Sequence, residues 1–330
     1  MICLDCTLRD GGYQNQWQYD LQLANKYLEV MERSKIDAVE VGFRSPSEKN
    51  IGLFSNVTDS FIIKNLYNAD IKYFGVMINT SEMTSSIISR IFSHESLSPI
   101  NFVRVATHFK NIDAAESICK DLKHLGYFVT IQMMQVAGKS YEEIANTAKR
   151  IEEWHIVDVL YLADSMGGMD HDAINYAFSA IKEEWNGLTG FHAHNNKGQA
   201  LNNTLEAVDL GVDFVDSTIL GMGRGAGNTE TEYLLKELNK RGFGEYKLKE
   251  IYRLCLNEFT KFKDQYEWGP SLLYYLAAEN NIHPTYIQKV LSYNLNPDKL
   301  LDIIFKLSDI KSNSFNEKLL KKIINEDVII

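Results

Sequence analysis

The sequence predicts an α/β protein: a (β/α)₈ TIM barrel over residues 1–238, followed by a small all-helical C-terminal domain over residues 239–330. Three observations lead there. Eight short apolar runs alternate with longer amphipathic stretches, the order a parallel barrel requires. The Gly-rich segment Gly221–Asn228 follows the eighth run, whereas a doubly wound dinucleotide-binding sheet carries its Gly-rich turn after the first strand. Beyond roughly residue 240 the strand pattern stops and only helical periodicity remains.

The eight runs are Ile2–Cys6, Ala38–Phe43, Tyr73–Ile78, Phe102–Ala106, Tyr127–Met134, Val157–Ala163, Gly190–His194 and Phe214–Leu220. Helical patterns between them include Tyr19–Ser34, Ile112–Leu125, Tyr141–Trp154, His171–Trp185 and Gly198–Leu210. Gly126 and Gly211 stand one residue past two of these, where a left-handed residue ends a helix. The terminal third reads as Leu248–Lys263, Ser271–Glu279, Thr285–Tyr293, Pro297–Leu307 and Ser314–Ile324, with Asn296-Pro297 as a helix start. The closing Val328-Ile329-Ile330 is apolar and is expected to pack on the body or on a second subunit.

Composition narrows the function. A net charge of −10 over 330 residues argues against nucleic acid or an anionic membrane as partner. A cleft can still hold the opposite sign locally, so small anionic substrates stay open. Four scattered cysteines include one C-x-x-C, Cys3 and Cys6, without the second pair a zinc ribbon needs. They read as reduced core thiols. The chain enters an apolar strand at Ile2 with no signal-like segment, so a cytoplasmic location is expected.

Barrel active sites sit at the C-terminal ends of the strands. The seventh run ends in His192-Ala193-His194-Asn195-Asn196. Residues two apart on a strand face the same side, so both imidazoles can grip one divalent ion. After the first run come Arg9-Asp10-Gly11-Gly12-Tyr13. Asp10 can complete a His₂-carboxylate site that leaves positions open for substrate oxygens. Arg9 offers a fixed cation for a developing oxyanion, although such an Arg-Asp pair alone is more often structural. The two glycines are expected to turn the backbone tightly over the mouth. The Gly221–Asn228 loop is expected to offer backbone N–H groups to an anion. Asp164 and Ser165, His108, and Glu40 with Arg44 are further residues at strand ends; each singly is more often packing or ion-pair structure.

These motifs together resemble the DRE-TIM metallolyase superfamily (HMG-CoA lyase-like), and within it the 4-hydroxy-2-oxovalerate aldolase branch. The carrying residues are Asp5-Cys6-Thr7-Leu8-Arg9-Asp10-Gly11, His192-Ala193-His194-Asn195, and the Gly-rich loop ending in Asn228. The resemblance implies a divalent metal on Asp10, His192 and His194, with Asn228 approaching it. It implies Arg9 as stabiliser of an enolate and Ser165 as a contact to a bound 2-keto acid. It also implies a homodimer and a dehydrogenase partner for the helical domain. Three departures stand out. Tyr13 occupies the place of the aldolases' catalytic histidine, Gly12-Tyr13 replaces the Glu-Gln of acyl-CoA condensing enzymes, and the Gly-rich loop lacks the lyase's cysteine.

The expected activity is a lyase of the metal-dependent aldolase type. It would cleave a 4-hydroxy-2-keto acid to pyruvate and an aldehyde, or run in reverse. Arg9 and Tyr13 are the expected catalytic residues, Tyr13 as positional candidate for the base and His108 as second. Two imidazoles and a carboxylate suit Mn²⁺, Co²⁺ or Zn²⁺ by softness, while oxygen-rich chelation by substrate accommodates Mg²⁺; Mn²⁺ is the expected metal. The alternatives are an acyl-CoA-dependent Claisen condensation and a non-catalytic barrel scaffold. For the aldehyde pocket, Tyr13, Phe43, Arg44 and the segment around Trp268, Tyr274, Tyr275, His283 and Tyr286 are candidates.

Overall fold

The computed structural model describes residues 1–46, 51–293, 295–310, 312 and 314–326; the apolar ending at 328–330 lies outside them. The eight expected strands are present as β1 (Ile2–Asp5), β2 (Ala38–Phe43), β3 (Tyr73–Asn79), β4 (Phe102–His108), β5 (Phe128–Met134), β6 (Val159–Asp164), β7 (Leu188–Ala193) and β8 (Phe214–Ser217). They close into a parallel barrel in chain order, with β8 pairing back onto β1. Helices such as Leu21–Arg33, Tyr141–Trp154 and His171–Glu184 cover the outside. Their starts carry side-chain caps. Asp20 accepts from Gln22, Asp170 accepts from Ala173, and Ser140 with Glu143 forms a full capping box; such caps are worth about 1 kcal/mol each. Gly126 (φ +93°) and Gly211 (φ +76°) take the left-handed conformation expected of helix stops.

Most strand ends shift by a residue or two from expectation, and the shifts at β8 and β1 shape the site. β8 stops at Ser217 rather than Leu220, because Thr218 N–H turns to Thr229 O (3.0 Å) and Leu220 adopts φ +51°. β1 stops at Asp5 because Cys6 to Gly11 closes a helical turn, with Asp10 N–H on Cys6 O and Gly11 N–H on Thr7 O. Asp5 organises that turn. Its buried carboxylate accepts from Thr7 N–H (2.8 Å), from the Thr7 and Tyr27 hydroxyls (2.6 Å each) and from the Thr231 hydroxyl (2.6 Å).

Gly11 and Gly12 therefore do not serve as left-handed hinges. Gly11 has φ −60° and Gly12 lies inside a short helix. What excludes a side chain is space: a Cβ on Gly12 would fall 2.1 Å from the Trp17 ring, and one on Gly11 would fall 2.4 Å from Thr7 O. The Trp17 ring is pinned there by its indole N–H, which donates to Arg9 O at 2.7 Å.

Inside the barrel, alternate residues form layers. At the N-terminal end the rings of Tyr73, Phe128 and Phe214 meet at centroid distances of 4.9–6.1 Å, with Phe102 and Tyr161 beside them. Above this aromatic plug lie Glu40, Arg104, Gln132 and Asp216, all buried. Above those stand the metal candidates.

The helical third divides differently from its sequence pattern. Residues assigned by pattern to the C-terminal domain, namely Tyr246, Ile251, Leu254, Cys255, Phe259 and Trp268, pack into the barrel's own core. A second core includes Tyr274, Ile282, Tyr286, Ile304, Leu307 and Ile323. Ala226 of the Gly-rich loop joins this second core, so the two cores share elements rather than meeting at one chain position. Periodicity reports that a helix has an apolar face but not which core receives it.

Gly12→Ala is expected to destabilise the protein by about 1–3 kcal/mol, the usual cost of forcing a packed neighbour aside. A lowered urea midpoint checks it. An unchanged midpoint would show that the indole yields freely.

Candidate metal centre

The end of β7 and the turn after β1 bring Asp10, His192 and His194 together, all buried, with one ligand atom from each within 4.8 Å of the others. His192 Nε2 lies 3.7 Å from Asp10 Oδ2. The two imidazole rings stand 5.1 Å apart at 82°. A divalent ion with ligand bonds of roughly 2.0–2.2 Å needs donors of this spacing. His194 lies just beyond β7, held by a bridge to Asn228.

The protonation states suit a cation. Burial would raise Asp10, but the Arg9 guanidinium, the two histidines and the Asn228 amide hold its carboxyl well below the usual range. Burial pushes His194 well below the ordinary histidine value, against the pull of Asp10, so its ring is neutral and able to ligate. His192 turns Nδ1 to Asp216 Oδ2 at 2.8 Å, which fixes Nε2 as the free nitrogen; a carboxylate behind a histidine is the usual way to orient a metal ligand.

A second grouping, Cys6, His192 and Asp216, is also close enough. It fits an ion poorly. Burial raises the Cys6 thiol well above its ordinary value, so it is not a thiolate. Both oxygens of Asp216 are engaged by Arg104, at 2.5 and 3.2 Å.

Asp216 is one link in a buried chain of charge. Arg104 hydrogen-bonds Asp216 and Gln132 (2.8 Å), and its Nε lies 3.1 Å from Glu40 Oε1 as an ion pair. Glu40 Oε2 takes Arg9 Nε at 2.5 Å, and Arg9 Nη1 reaches Asp10 Oδ1 at 2.7 Å. The chain runs Asp10–Arg9–Glu40–Arg104–Asp216–His192 and returns to Asp10 across the metal position. Two guanidinium groups meet three carboxylates, leaving one net negative charge for a cation to balance. Arg104 also lies over the Tyr161 ring at 4.2 Å. Burial raises Asp216, but Arg104 and the His192 hydrogen bond outweigh it and hold the acid at about 2.

Facing the metal position, Arg9 Nη2 and Asn228 Oδ1 are buried and have no hydrogen-bond partner. Asn228 donates its amide to Asp10 Oδ2, leaving the oxygen available. Most of the Gly-rich loop's N–H groups are used within the protein. The N–H groups of Gly221, Met222, Ala226, Gly227 and Asn228 are taken by Thr218, Ile219, Asn196, Arg224 and Gly221. The loop's work is to seat Asn228, whose amide would be 2.5 Å from any Cβ on Gly223.

The remaining candidates separate. Tyr13 is 40% exposed at the rim, edge-on to Trp17 and Phe43, with Arg224 5.9 Å above its ring. Desolvation raises its phenol despite Arg224 and Arg9. Ser165, half-buried at the end of β6, accepts weakly from Gln135 N–H (3.4 Å), and its carbonyl takes Arg224 at 2.9 Å. Asp164 is turned into its own loop by the N–H groups of Gly168 and Met169, with burial raising it to about 6. Arg44 points away: it bonds Val57 O and Asp59 and stacks on Phe92 at 4.7 Å. Trp268 belongs to the barrel core and Tyr286 to the helical core. Tyr274 and Pro284 do reach the mouth, 3.6 and 3.3 Å from where a Gly225 Cβ would be. His283 arrives with them; burial, with Arg224 and His108 nearby, pushes it down to about 3.

Sequence reasoning missed Arg104, Asp216 and Arg224, and undervalued Glu40. A signal existed for three of them. Arg104, Asp216 and Glu40 each sit singly inside an otherwise apolar strand, which only mutual pairing can make tolerable.

Asp216→Asn is expected to weaken divalent-metal affinity about 10–100-fold, as loss of a histidine's orienting carboxylate does, read by competition with a fluorescent chelator. Arg104→Leu is expected to cost about 3–5 kcal/mol of stability, since it strands two buried carboxylates; equal urea midpoints would overturn that role.

The comparisons with known proteins bear on this geometry. The 4-hydroxy-2-oxovalerate aldolase of Pelotomaculum thermopropionicum is 30% identical over 250 residues, covering 73% of this chain and 70% of that one. The Moorella thermoacetica protein of the same name is 26% identical over 310 residues, covering 90% and 89%. The crystal structure of the N-terminal domain of a Bacteroides vulgatus protein, provisionally called an aldolase, superposes with a TM-score of 0.81 at 30% identity, covering 89% of this chain and 97% of that one. The HMGL-like family model matches residues 1–255, the whole barrel with its metal triad, and the chain belongs to that family.

Proposed function

We propose that this protein is a divalent-metal-dependent carbon–carbon lyase that joins or separates a pyruvate-type enolate and an aldehyde. The observation that carries this reading is the Asp10–His192–His194 triad with the unpartnered Arg9 Nη2 beside it. A bound divalent ion would supply Lewis acidity to a 2-keto oxygen and negative-charge stabilisation as the enolate develops. Asp10, His192 and His194 would hold it, with Asn228 Oδ1 as a further oxygen donor.

The chain's own groups do the rest. Arg9 is held rigidly by Glu40 and Asp10, so Nη2 meets the enolate oxygen without reorganisation; one such donor is worth about 3–4 kcal/mol of barrier. Phe43, Met77 and Ala106, with Trp17 and Met134 against them, form an apolar collar around the mouth that limits water near the carbanion carbon. Tyr13 stands at the rim with its phenol protonated at neutral pH. In the joining direction it donates that proton to the aldehyde oxygen as the new C–C bond forms and is left as phenolate; cleavage is the reverse and starts from that phenolate, which takes the C4 hydroxyl proton. His108, half-buried at the end of β4 and shifted down by burial, is a neutral second candidate for the same proton. Ser165 is the proposed contact to the keto acid's carboxylate, supported by its position just past the end of β6.

Mn²⁺ is the proposed metal, since two imidazoles favour a borderline ion while substrate oxygens complete its shell. The four buried free thiols support a reducing, cytoplasmic setting, and among the described residues no helix is long and apolar enough to cross a membrane. Exposed Leu272, Tyr275, Leu291 and Phe305 on the helical domain support a partner there, either a second copy or a dehydrogenase.

Metal-loaded protein is expected to exchange pyruvate C3 protons with deuterated water, and Arg9→Ala to slow that exchange about 10²–10³-fold. Absence of exchange with Mn²⁺, Mg²⁺ or Co²⁺ would sink the reading. Tyr13→Phe is expected to lower aldol turnover about 10²-fold while exchange continues, because its proton serves the aldehyde and not the enolate. Loss of both together would assign Tyr13 to the enolate step.

A further inference from the structure

On the rim of the barrel mouth, between the ends of β4–β6 and the helical domain, lies a cavity of about 640 Å³. The loops after the strands contribute Lys110, Gln135 and Lys139; the helical domain contributes Asn280, Asn281 and Ser308. Among the described residues its lining holds two ammonium groups, amides and hydroxyls, and no carboxylate. That is unusual for a chain of net charge −10. Lys110 is exposed. Lys139 is half-buried over the Phe109 ring (5.2 Å) and meets Glu143 at 3.1 Å. Glu143 is itself occupied by Ser140 N–H, and an ion pair this accessible holds its lysine weakly.

The cavity's walls are tied by hydrogen bonds to Ser165 and to the loop that seats Asn228. Gln135, on its wall, donates to the Ser165 hydroxyl. Met166, also on the wall, accepts from Asn196, whose side-chain oxygen holds Ala226 in the loop that seats Asn228. On the other side of Lys110 a second cavity of about 240 Å³ runs past His108 and the ends of β3 and β5. The space suits a ligand of ordinary metabolite size, which fills about 300–1,000 Å³, and far exceeds what a two-carbon aldehyde needs.

We propose that this cavity is the subsite for the aldehyde partner, and that it selects a polyhydroxylated aldehyde bearing an anionic group, with Lys110 and Lys139 receiving the anion and the amides and hydroxyls reading the hydroxyl groups. This rests on the aldolase reading above. The helical domain then completes the substrate site, because Asn280, Asn281 and Ser308 come from it.

The test measures binding apart from turnover. Isothermal titration of the wild-type protein compares D-ribose 5-phosphate, D-glucuronate and neutral D-ribose, and repeats the series on Lys110→Ala/Lys139→Ala. These are loop side chains outside the metal centre, so the fold and the pyruvate exchange are expected to persist. The expected result is that at least one anionic sugar binds about tenfold or more tighter than ribose, and that the double variant loses this margin. Phosphate and carboxylate are distinguished by which of the two binds. The proposal is overturned if no sugar binds, if ribose binds as tightly as the anions, or if the double variant binds like wild type. Pyruvate exchange in the same preparations reports separately on the aldolase reading, so either can fail without the other.

Discussion

Buried charge cannot stand alone. Taking one ion out of water costs several kcal/mol unless a partner and hydrogen bonds replace the lost solvation. In this barrel that constraint is met by a chain of contacts from Asp10 through Arg9, Glu40, Arg104 and Asp216 to His192. Each guanidinium is gripped on two sides, and each carboxylate faces at least one cation. The chain's two ends, Asp10 and His192, both belong to the triad that could hold a metal ion. The geometry of the candidate metal centre is thus set from beneath, by a buried layer of the barrel interior.

This arrangement joins stability to function. The aromatic plug below the charged layer keeps it dry, which strengthens every pairing within it. The ligands above inherit its rigidity. His192 has one nitrogen committed to Asp216 and one left to ligate. Arg9 has two nitrogens committed and one left for an oxyanion. Asn228 has its amide nitrogen committed to Asp10 and its oxygen left. Each functional atom is the remainder after structural bonds have used the rest of its side chain.

The rim is built on another principle. Tyr13, Arg224, His108 and His283 come from separate loops and from the helical domain. Between them the Gly-rich loop lies close against Tyr274 and Pro284 at Gly225, which takes φ +68°. The barrel supplies the metal centre, and the docked helices help to wall the space beside it.

The barrel was legible in the sequence because strand and helix periodicities are local, and all eight strands fell where apolar runs stood. The triad was legible as well: two histidines two apart on a strand must share a face, and an aspartate after the first strand must lie at the same end of a parallel barrel. Arg104, Asp216 and Glu40 were visible only as isolated charges in apolar strands. Which charge meets which depends on strand register and barrel closure, and β8 meets β1 only after the whole chain has wrapped. The division between the two cores was hidden for a like reason, since a helix's apolar face does not name its partner. Sequence by itself therefore determined the fold and which three residues meet at the candidate metal centre. Tertiary structure alone decided how those residues are held, and placed a cationic cavity between barrel and helices, because both arise from contacts between residues far apart along the chain.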